Sequence, residues 1–278
     1  CGCLPARYNI GAQLAEVDLF LGSKDHAQLI ERLNQLGWNL ENHKSKPPRL
    51  VPKLPYSYLK ISEGCDNRCS YCAIPDIKGP FRSKPLSEIL GEAEYIDSKN
   101  VRELILIGQD TTLFGTDNNA GHSLAGLLKE LSKFNSFKWI RLMYAHPAHL
   151  DYKTIEIINE GEKIVKYIDL PLQHINDRIL KSMNRRTDKN SIESLIRRLR
   201  MIMPGIVLRT TFIVGFPGET EKEFGELLDF VEEYKLDNVG VFKYSPEEGT
   251  PAYKLPDRVD AAVIDERYLT LLDLQNNI

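Results

Sequence analysis

Six short apolar segments, rich in β-branched or aromatic residues, recur along the chain from Tyr56 onward. They are YSYLKIS (56–62), ELILIGQD (103–110), WIRLMYAHP (139–147), YIDLPLQ (167–173), IVLRTTFIVGFP (206–217) and NVGVFKYSP (238–246). Apolar runs bounded by glycine, proline and polar residues are typical of buried β-strands. The pattern therefore predicts six strands.

Segments with helical periodicity separate several of these strands. Their apolar residues recur every three or four positions, which places them on one face of a helix. The four sets are Ile89, Leu90, Ala93 and Ile96; Leu124, Leu127, Leu128 and Leu131; Ile192, Leu195, Ile196 and Leu199; and Phe224, Leu227, Leu228 and Val231. We expect Ser87, Ser123 and Thr220 to lie at the amino-terminal caps of three of these helices.

Strands that alternate with helices indicate βαβ units and a parallel sheet. A complete barrel needs eight such units, so the alternation alone is compatible with an open, partial barrel or with a doubly wound sheet. In both folds, functional residues gather at the carboxyl ends of the strands. Those ends carry the polar or glycine- and proline-rich sequences GQDTTLFG, YAHP, PLQH, GFPGET and YSPEEGTPAY.

The composition is that of an ordinary globular protein. Hydrophobic residues make up 42% and charged residues 27% of the 278 positions, which is ordinary for a globular protein. We expect no membrane span and no secretory leader, and hence a cytoplasmic protein. The formal net charge of −3 gives no electrostatic reason to expect broad nucleic-acid binding.

Three of the five cysteines, Cys65, Cys69 and Cys72, follow the first predicted strand with the spacing C-x3-C-x2-C. Clustered thiols in odd number favour a metal site in a reducing compartment over a disulfide framework. A zinc site would need a distant fourth ligand such as His146 or His174. Three ordinary buried thiols are another alternative. Closely spaced thiolates are also the ligands of 4Fe–4S clusters, and three thiolates leave one iron open.

The cysteine spacing, in its position after the first strand, resembles the radical SAM superfamily. The segments KISEGCDNRCSYCAIPDIKGPFRSKP, GQDTTLFG, DLPLQH, TFIVGFPGET and VFKYSPEEGTPA are together similar to the methylthiotransferases of that superfamily. The resemblance implies an open, partial (β/α)6 TIM-like barrel and a transferase that attaches a methylthio group to an unactivated carbon. It also implies a 4Fe–4S cluster on the three cysteines, with S-adenosylmethionine bound to the open iron.

Two branches of the methylthiotransferases differ in substrate. One modifies an isopentenylated adenosine of transfer RNA, and the other modifies the β-carbon of an aspartate in small-subunit ribosomal protein number twelve. The sequences ISEGC, AIP, GQDTT and DLPLQH resemble the second branch more closely. The resemblance therefore implies a ribosomal-protein substrate and a reductant such as flavodoxin or ferredoxin, and we expect no nucleic-acid or membrane partner. The transfer RNA branch and a non-catalytic, zinc-stabilised binding module are the alternatives.

The resemblance also implies roles for residues near the cysteines. Asp110 would neutralise the amino group of S-adenosylmethionine or orient the substrate, although an aspartate at the end of a strand also commonly caps a turn. Arg209 should face inward on the fifth strand, and a buried arginine needs a partner; the carboxylate of S-adenosylmethionine is the candidate. The expected cofactor-binding residues are Tyr71, Ala73, Gly108, Gln109, Gln173 and Gly215.

The expected domain organisation follows from the same resemblance. Residues 1–45, with a helix predicted in HAQLIERLNQLGW, would be a remnant of the family's N-terminal α/β domain. Residues 46–55 are expected to be a linker and residues 56–278 the radical SAM barrel, with the C-terminal TRAM domain absent. Cys3 matches one ligand of a second 4Fe–4S cluster in this family, whose other ligands are expected upstream.

Overall fold

The structure, a computed structural model, describes residues 2–8, 14, 16–25, 28–41, 51, 53–117 and 121–278. Its centre is a parallel sheet of six strands whose order in space follows their order in the chain. These strands are β1 (Tyr56–Lys60), β4 (Glu103–Ile107), β5 (Trp139–Leu142), β6 (Ile164–Asp169), β7 (Val207–Val214) and β8 (Asn238–Lys243). All six strands predicted from the apolar runs are therefore confirmed.

Each strand of the sheet is followed by at least one helix, which completes six β/α units. The helices are α1 (Cys3–Arg7), α2 (Leu29–Gln35), α3 (Ile74–Lys78), α4 (Leu86–Asp97), α5 (Leu124–Leu131), α6 (Tyr152–Glu160), α7 (Asp177–Ser182), α8 (Lys189–Ile202), α9 (Glu221–Tyr234) and α10 (Ala261–Asn276). Within the described residues, β1 and β8 are the two edges of the sheet and do not pair with each other. The architecture is thus an open, partial (β/α)6 barrel.

The main core lies between the sheet and the surrounding helices. On β4, Leu104 and Leu106 are fully buried, and the alternate residues point to the concave side. Burying one such leucine contributes about 2 kcal/mol of hydrophobic free energy. The concave face is less completely filled, because Tyr58, Trp139 and Phe242 remain 49%, 58% and 58% exposed. The inside of the partial barrel is therefore accessible.

Two of the three predicted helix caps are present. Ser123 accepts a hydrogen bond from the backbone at the start of α5, and Thr220 forms a capping box at the start of α9. The expectation for Ser87 is wrong, since α4 begins one residue before it and Pro85 occupies the cap position. Pro85 has φ −53° and ψ 135°, so the backbone is extended just before the helix and no side chain caps it.

The N-terminal segment contacts the barrel near the cysteine loop. Helix α1 packs against α3, and Arg7 forms an ion pair of 2.7 Å with Glu247 in the loop after β8. The helix predicted in HAQLIERLNQLGW is present as α2. Most of the expected linker 46–55 lies outside the described residues, as does Cys1.

No helix in the described part of the chain has the length and apolarity that crossing a bilayer requires.

Candidate active site

The cysteine loop is held between two short strands, β2 (Ser62–Glu63) and β3 (Arg82–Ser83), which pair antiparallel. Its first thiol follows Gly64, which has φ +76°, and a Cβ there would lie 2.1 Å from the carbonyl oxygen of Pro80. Only glycine is compatible with so close a backbone approach. The N–H of Cys65 then donates to the carbonyl oxygen of Gly79 at 3.1 Å, so the loop returns onto itself.

Cys65, Cys69 and Cys72 all line one cavity of about 650 Å³ at the carboxyl ends of the strands. Burial raises the pKa of Cys65, and it raises the pKa of Cys72 to about 11. The two thiols therefore hold their protons until a metal displaces them. The N–H of Ile74 lies 3.4 Å from the sulfur of Cys72, and donors of this kind stabilise metal-bound thiolates.

The spacing of the thiols favours a cluster over a single ion. Within the described ranges, only Asp110, His146 and His149 bring three ligand atoms within 4.8 Å of one another. The three cysteines do not form such a group, although they share one cavity. A single zinc ion holds its thiolates at about 2.3 Å, whereas a 4Fe–4S cluster separates them by the width of the cluster. The residues present therefore fit the cluster.

The two histidines considered as zinc ligands have other surroundings. The Nδ1 atom of His146 accepts a hydrogen bond from the N–H of Ala148 at 3.2 Å. His174 is fully buried, and its Nδ1 atom accepts from the N–H of Asn176 at 3.0 Å. Burial lowers the pKa of both histidines to about 3, and so both are neutral near pH 7. His174 is therefore a buried, neutral residue and is not among the described residues that line the cavity.

Two buried polar atoms in the cavity wall have no protein partner among the described residues: Oε1 of Gln109 and Nε of Arg185. Unsatisfied polar atoms are rare in protein interiors because each costs about 1–3 kcal/mol. Both residues line the cavity, and an acceptor near a donor suits a ligand that carries both kinds of group. S-adenosylmethionine, with its amino, carboxylate and ribose groups, is such a ligand.

Four of the predicted cofactor residues line the cavity: Tyr71, Gly108, Gln109 and Gln173. A Cβ on Gly108 would lie 2.4 Å from the hydroxyl of Ser62, so the backbone passes close to the cysteine loop there. Gln173 has φ +72°, a left-handed conformation that non-glycine residues adopt rarely and often at functional sites. The structure thus brings together these four residues and the cysteines.

Ala73 and Gly215 are placed differently. Ala73 is the N-cap residue of α3, and in the described chain neither residue lines the cavity. Gly215 has φ +77°, and a Cβ there would lie 2.3 Å from Ile264 of α10. The close approach that this glycine permits is therefore to the C-terminal helix.

Asp110 is almost completely buried and has several hydrogen-bond partners. It caps the turn at Thr111–Leu113 by accepting from the N–H of Thr112 at 3.1 Å, so the turn-capping interpretation is confirmed. Its Oδ2 atom lies 2.7 Å from Nδ2 of Asn67 and 2.8 Å from Nδ1 of His149. Burial acts to raise the pKa of Asp110, but the hydrogen bonds with His149 and Thr112 outweigh it and lower the pKa. Through Asn67, this carboxylate holds the cysteine loop.

Arg209 lines the cavity, but its observed partner is in the protein. Its Nη1 atom lies 2.6 Å from Oδ1 of Asp169, which is fully buried on the neighbouring strand. The expectation of a buried arginine that needs a cofactor as its partner is therefore corrected, because the side chain is 34% exposed and already paired. The carboxylate of S-adenosylmethionine is therefore not required as the partner of Arg209.

Arg185 is a site residue that sequence reasoning missed. Its Nη1 atom lies 3.9 Å from the sulfur of Cys69, and its Nη2 atom donates to the carbonyl oxygen of Pro171 at 2.5 Å. The basic run NRRTDK in which it lies has the composition of a solvated surface. Only the packing of the loop after α7 shows that one of these arginines reaches the cysteines.

A family of known proteins matches this chain and is consistent with the cysteine site. Residues 59–231 match the family model described as the radical SAM superfamily. The chain belongs to the radical SAM superfamily, and membership implies a 4Fe–4S cluster and S-adenosylmethionine, which the cysteines and the unpartnered polar atoms of the cavity fit.

Several curated relatives match the chain over its whole length. The chain is 45% identical over 290 residues to ribosomal protein uS12 methylthiotransferase RimO of Geotalea uraniireducens, a match that covers 100% of this chain and 65% of the relative. It is 46% identical over 289 residues to the protein of that name from a Thermoanaerobacter species, covering 100% and 66%. The chain thus spans about 65% of the length of these relatives.

Solved structures show the same fold at low sequence identity. The radical S-adenosylmethionine methyltransferase TsrM from Kitasatospora setae has a TM-score of 0.60 and 19% identity, covering 76% of this chain and 42% of that chain. Coproporphyrinogen III oxidase HemN from Escherichia coli has a TM-score of 0.56 and 18% identity, covering 80% and 52%. These structures support the partial barrel.

Proposed function

We propose that the full-length protein is a radical SAM methylthiotransferase that adds a methylthio group to the β-carbon of an aspartate in ribosomal protein uS12. The observation that carries this proposal is the identity of 44–46% to several uS12 methylthiotransferases, spread over the whole chain. The cavity supports it, since the three cysteines and unpartnered polar atoms meet there.

Each group in the cavity has a part in this reaction. When bound, the cluster and S-adenosylmethionine would supply radical chemistry capable of activating an unactivated C–H bond. Cys65, Cys69 and Cys72 hold the cluster, and Gln109 and Arg185 offer hydrogen bonds to S-adenosylmethionine. Tyr71 and Gln173 form further walls against the cofactor, while Asp110 positions the cysteine loop.

We extend the proposal to the N-terminal segment. Cys3 is exposed on α1, which packs against the helix that directly follows Cys72. This placement supports Cys3 as one ligand of a second 4Fe–4S cluster near the first. Residues 1–45 would then belong to the domain that carries this cluster. We place the enzyme in the cytoplasm, beside ribosomes and a reductant such as flavodoxin or ferredoxin.

Mass spectrometry of uS12 tests the proposal. The full-length protein is reconstituted anaerobically with iron and sulfide, then incubated with uS12, S-adenosylmethionine and reductant. We expect 5′-deoxyadenosine, together with a mass increase on one aspartate equal to a methylthio group in place of hydrogen. The Cys65→Ala variant should give neither product.

A parallel reaction contains isopentenylated transfer RNA instead of uS12. Methylthiolated adenosine there, with unmodified uS12 in the first reaction, would reject the substrate proposed here.

A further inference from the structure

Arg209 is oriented by a carboxylate whose own position is fixed by a second hydrogen bond. Asp169 is fully buried; its Oδ1 atom binds Nη1 of Arg209 at 2.6 Å, and its Oδ2 atom accepts from the N–H of Tyr144 at 3.1 Å. One carboxylate thus joins the guanidinium on β7 to the backbone just beyond β5. Such a partner restricts an arginine to one orientation before any ligand arrives.

The other edge of the guanidinium is available. Within the part of the chain that the structure describes, Arg209 makes its hydrogen bond through Nη1 alone, and its side chain is 34% exposed and lines the cavity. The remaining edge, formed by Nε and Nη2, carries two parallel N–H groups. This fork matches the two oxygens of a carboxylate.

Arg209 also lies deeper than the residues around the cysteines. It pairs with Asp169 in the sheet and lies two residues before Thr211, whose carbonyl oxygen accepts from the N–H of Gln173. Arg209 is therefore one inward-facing layer below Gln173. The arginine beside the cysteines is Arg185, 3.9 Å from the sulfur of Cys69. The two arginines occupy different parts of one cavity, and Arg185 is the one placed to meet a cofactor bound at the cluster.

An aromatic side chain accompanies the deeper position. Tyr144 lines the same cavity and is 45% exposed. Tyr144 has φ +56°, a conformation that costs about 1–2 kcal/mol. It is held there by Asp169 and by Thr111, whose N–H donates to its carbonyl oxygen at 3.1 Å. An exposed ring that shares Asp169 with a cation suits a residue presented by a protein chain, which has apolar atoms around its charged group.

We propose that the free edge of Arg209, oriented by Asp169 and flanked by Tyr144, binds the carboxylate of the substrate aspartate. This inference rests on the proposed function and assigns the residue that selects the amino acid to be modified. In aspartate the β-carbon is bonded directly to the carboxyl carbon. A two-point contact to the carboxylate therefore also fixes the reacting carbon, and such positioning is a large part of catalysis.

The experiment compares uS12 with a uS12 variant in which asparagine replaces the target aspartate. Binding of each to the full-length, cluster-loaded protein is measured with S-adenosylmethionine present. We expect the wild-type protein to bind the aspartate form roughly 10- to 100-fold more tightly, the range for a hydrogen bond to a charged group. In Arg209→Gln the two forms should bind within about 2-fold of each other, with iron content and affinity for S-adenosylmethionine unchanged.

Arg141→Gln is the matched control. Arg141 also points to the concave face and is paired with a carboxylate, Glu103, at 2.6 Å, but it is not among the described residues that line the cavity. It should keep the preference for aspartate. Arg209→Lys retains the charge without the fork, so its preference should be intermediate; this variant keeps the test valid if Arg209→Gln fails to fold.

Three results would overturn the inference. In the first, Arg209→Gln loses affinity for S-adenosylmethionine while it still prefers aspartate, which assigns the arginine to the cofactor. In the second, Arg141→Gln loses the preference equally. In the third, the wild-type protein modifies uS12 yet does not distinguish the two forms. A wild-type protein that neither binds nor modifies uS12 rejects the proposed function as well, and this separates the two failures.

Discussion

Asp110 joins a turn, a histidine and the cysteine loop through one buried carboxylate. Its contact with Asn67 is the one that reaches between Cys65 and Cys69. A loop that must present three thiols in fixed positions benefits from such an anchor, because first-shell ligands depend on the groups that orient them.

Replacing Asp110 by alanine should therefore reduce cluster loading. The amide of Asn67 would lose its acceptor, and the cysteine loop would become more mobile. We expect the iron bound per protein after anaerobic reconstitution to fall several-fold, with weaker charge-transfer absorption. Asp151→Ala is the control, since Asp151 caps α6 through Thr154 and, among the described residues, has no hydrogen bond to the cysteine loop. Equal loss of iron in both variants would contradict this role.

Arg185 should influence the reduction potential of the cluster. Its guanidinium lies 3.9 Å from the sulfur of Cys69, and a positive donor near a cluster sulfur stabilises the reduced, more negative state. Arg185→Gln should lower the midpoint potential by roughly 40 mV, which corresponds to about 1 kcal/mol for one electron. Arg186→Gln, at the exposed neighbouring position, should leave it unchanged in an EPR-monitored redox titration. A potential that rises in Arg185→Gln would reject this electrostatic effect.

At the scale of one element, the start of α9 has a strong capping arrangement. Glu223 accepts from the N–H of Thr220 at 2.9 Å and from Nε of Arg178 at 2.8 Å. Burial acts to raise the pKa of Glu223, but the hydrogen bonds with Thr220 and Arg178 outweigh it and lower the pKa to about 2. The carboxylate therefore stabilises the folded chain above its ordinary pKa of 4.5, and this contribution is lost as the pH falls toward 2.

Glu223→Gln should lower the free energy of unfolding by about 1 kcal/mol at pH 7, as loss of a helix cap does. The difference from the wild-type chain should shrink as the pH falls below 4.5. Denaturant titrations at several pH values measure it. Glu232→Gln, at an exposed position of the same helix, should have no comparable effect. A difference that grows on acidification would show that the carboxylate is not the stabilising group.

The strands and helices also show how much of the fold the sequence predicts. The six strands follow from apolar runs such as IVLRTTFIVGFP, and the helices α4, α5, α8 and α9 follow from their periodicity. Helices α6 and α7 were not predicted, because they are short and their apolar faces carry few residues. The cluster site on the three cysteines was predictable from their spacing together with the resemblance to the radical SAM superfamily. Arg185 and the contact of Gly215 with Ile264 were not, since both depend on segments that are distant in sequence.

At the scale of the whole molecule, α10 ties the carboxyl end of the chain to the barrel. Arg267 on α10 binds Glu219, beyond β7, at 2.8 Å, and both side chains are buried. Burial raises the pKa of Glu219, so this carboxylate depends on its charged partner. A second pair, Lys243–Asp265 at 2.7 Å, links β8 and α10 but is exposed.

The two ion pairs should differ sharply in their contribution to the free energy of unfolding. Arg267→Met leaves a buried carboxylate without its partner, which costs about 3–5 kcal/mol. Asp265→Ala removes an exposed pair, worth about 0–1 kcal/mol. Denaturant unfolding of the cluster-free chain compares them. Similar decreases in the free energy of unfolding of the two variants would mean that burial does not make the Arg267–Glu219 pair more important for stability.

The two unpaired edges of the sheet have a consequence for the size of the substrate. A closed eight-stranded barrel fills its interior with its own side chains and accepts ligands at its mouth. Across the described residues β1 and β8 do not pair with each other, and the aromatic residues of the concave face are exposed. Under the proposed function, a loop still attached to a folded protein can thus enter from the side, and its target residue need not be released before it reaches the cavity.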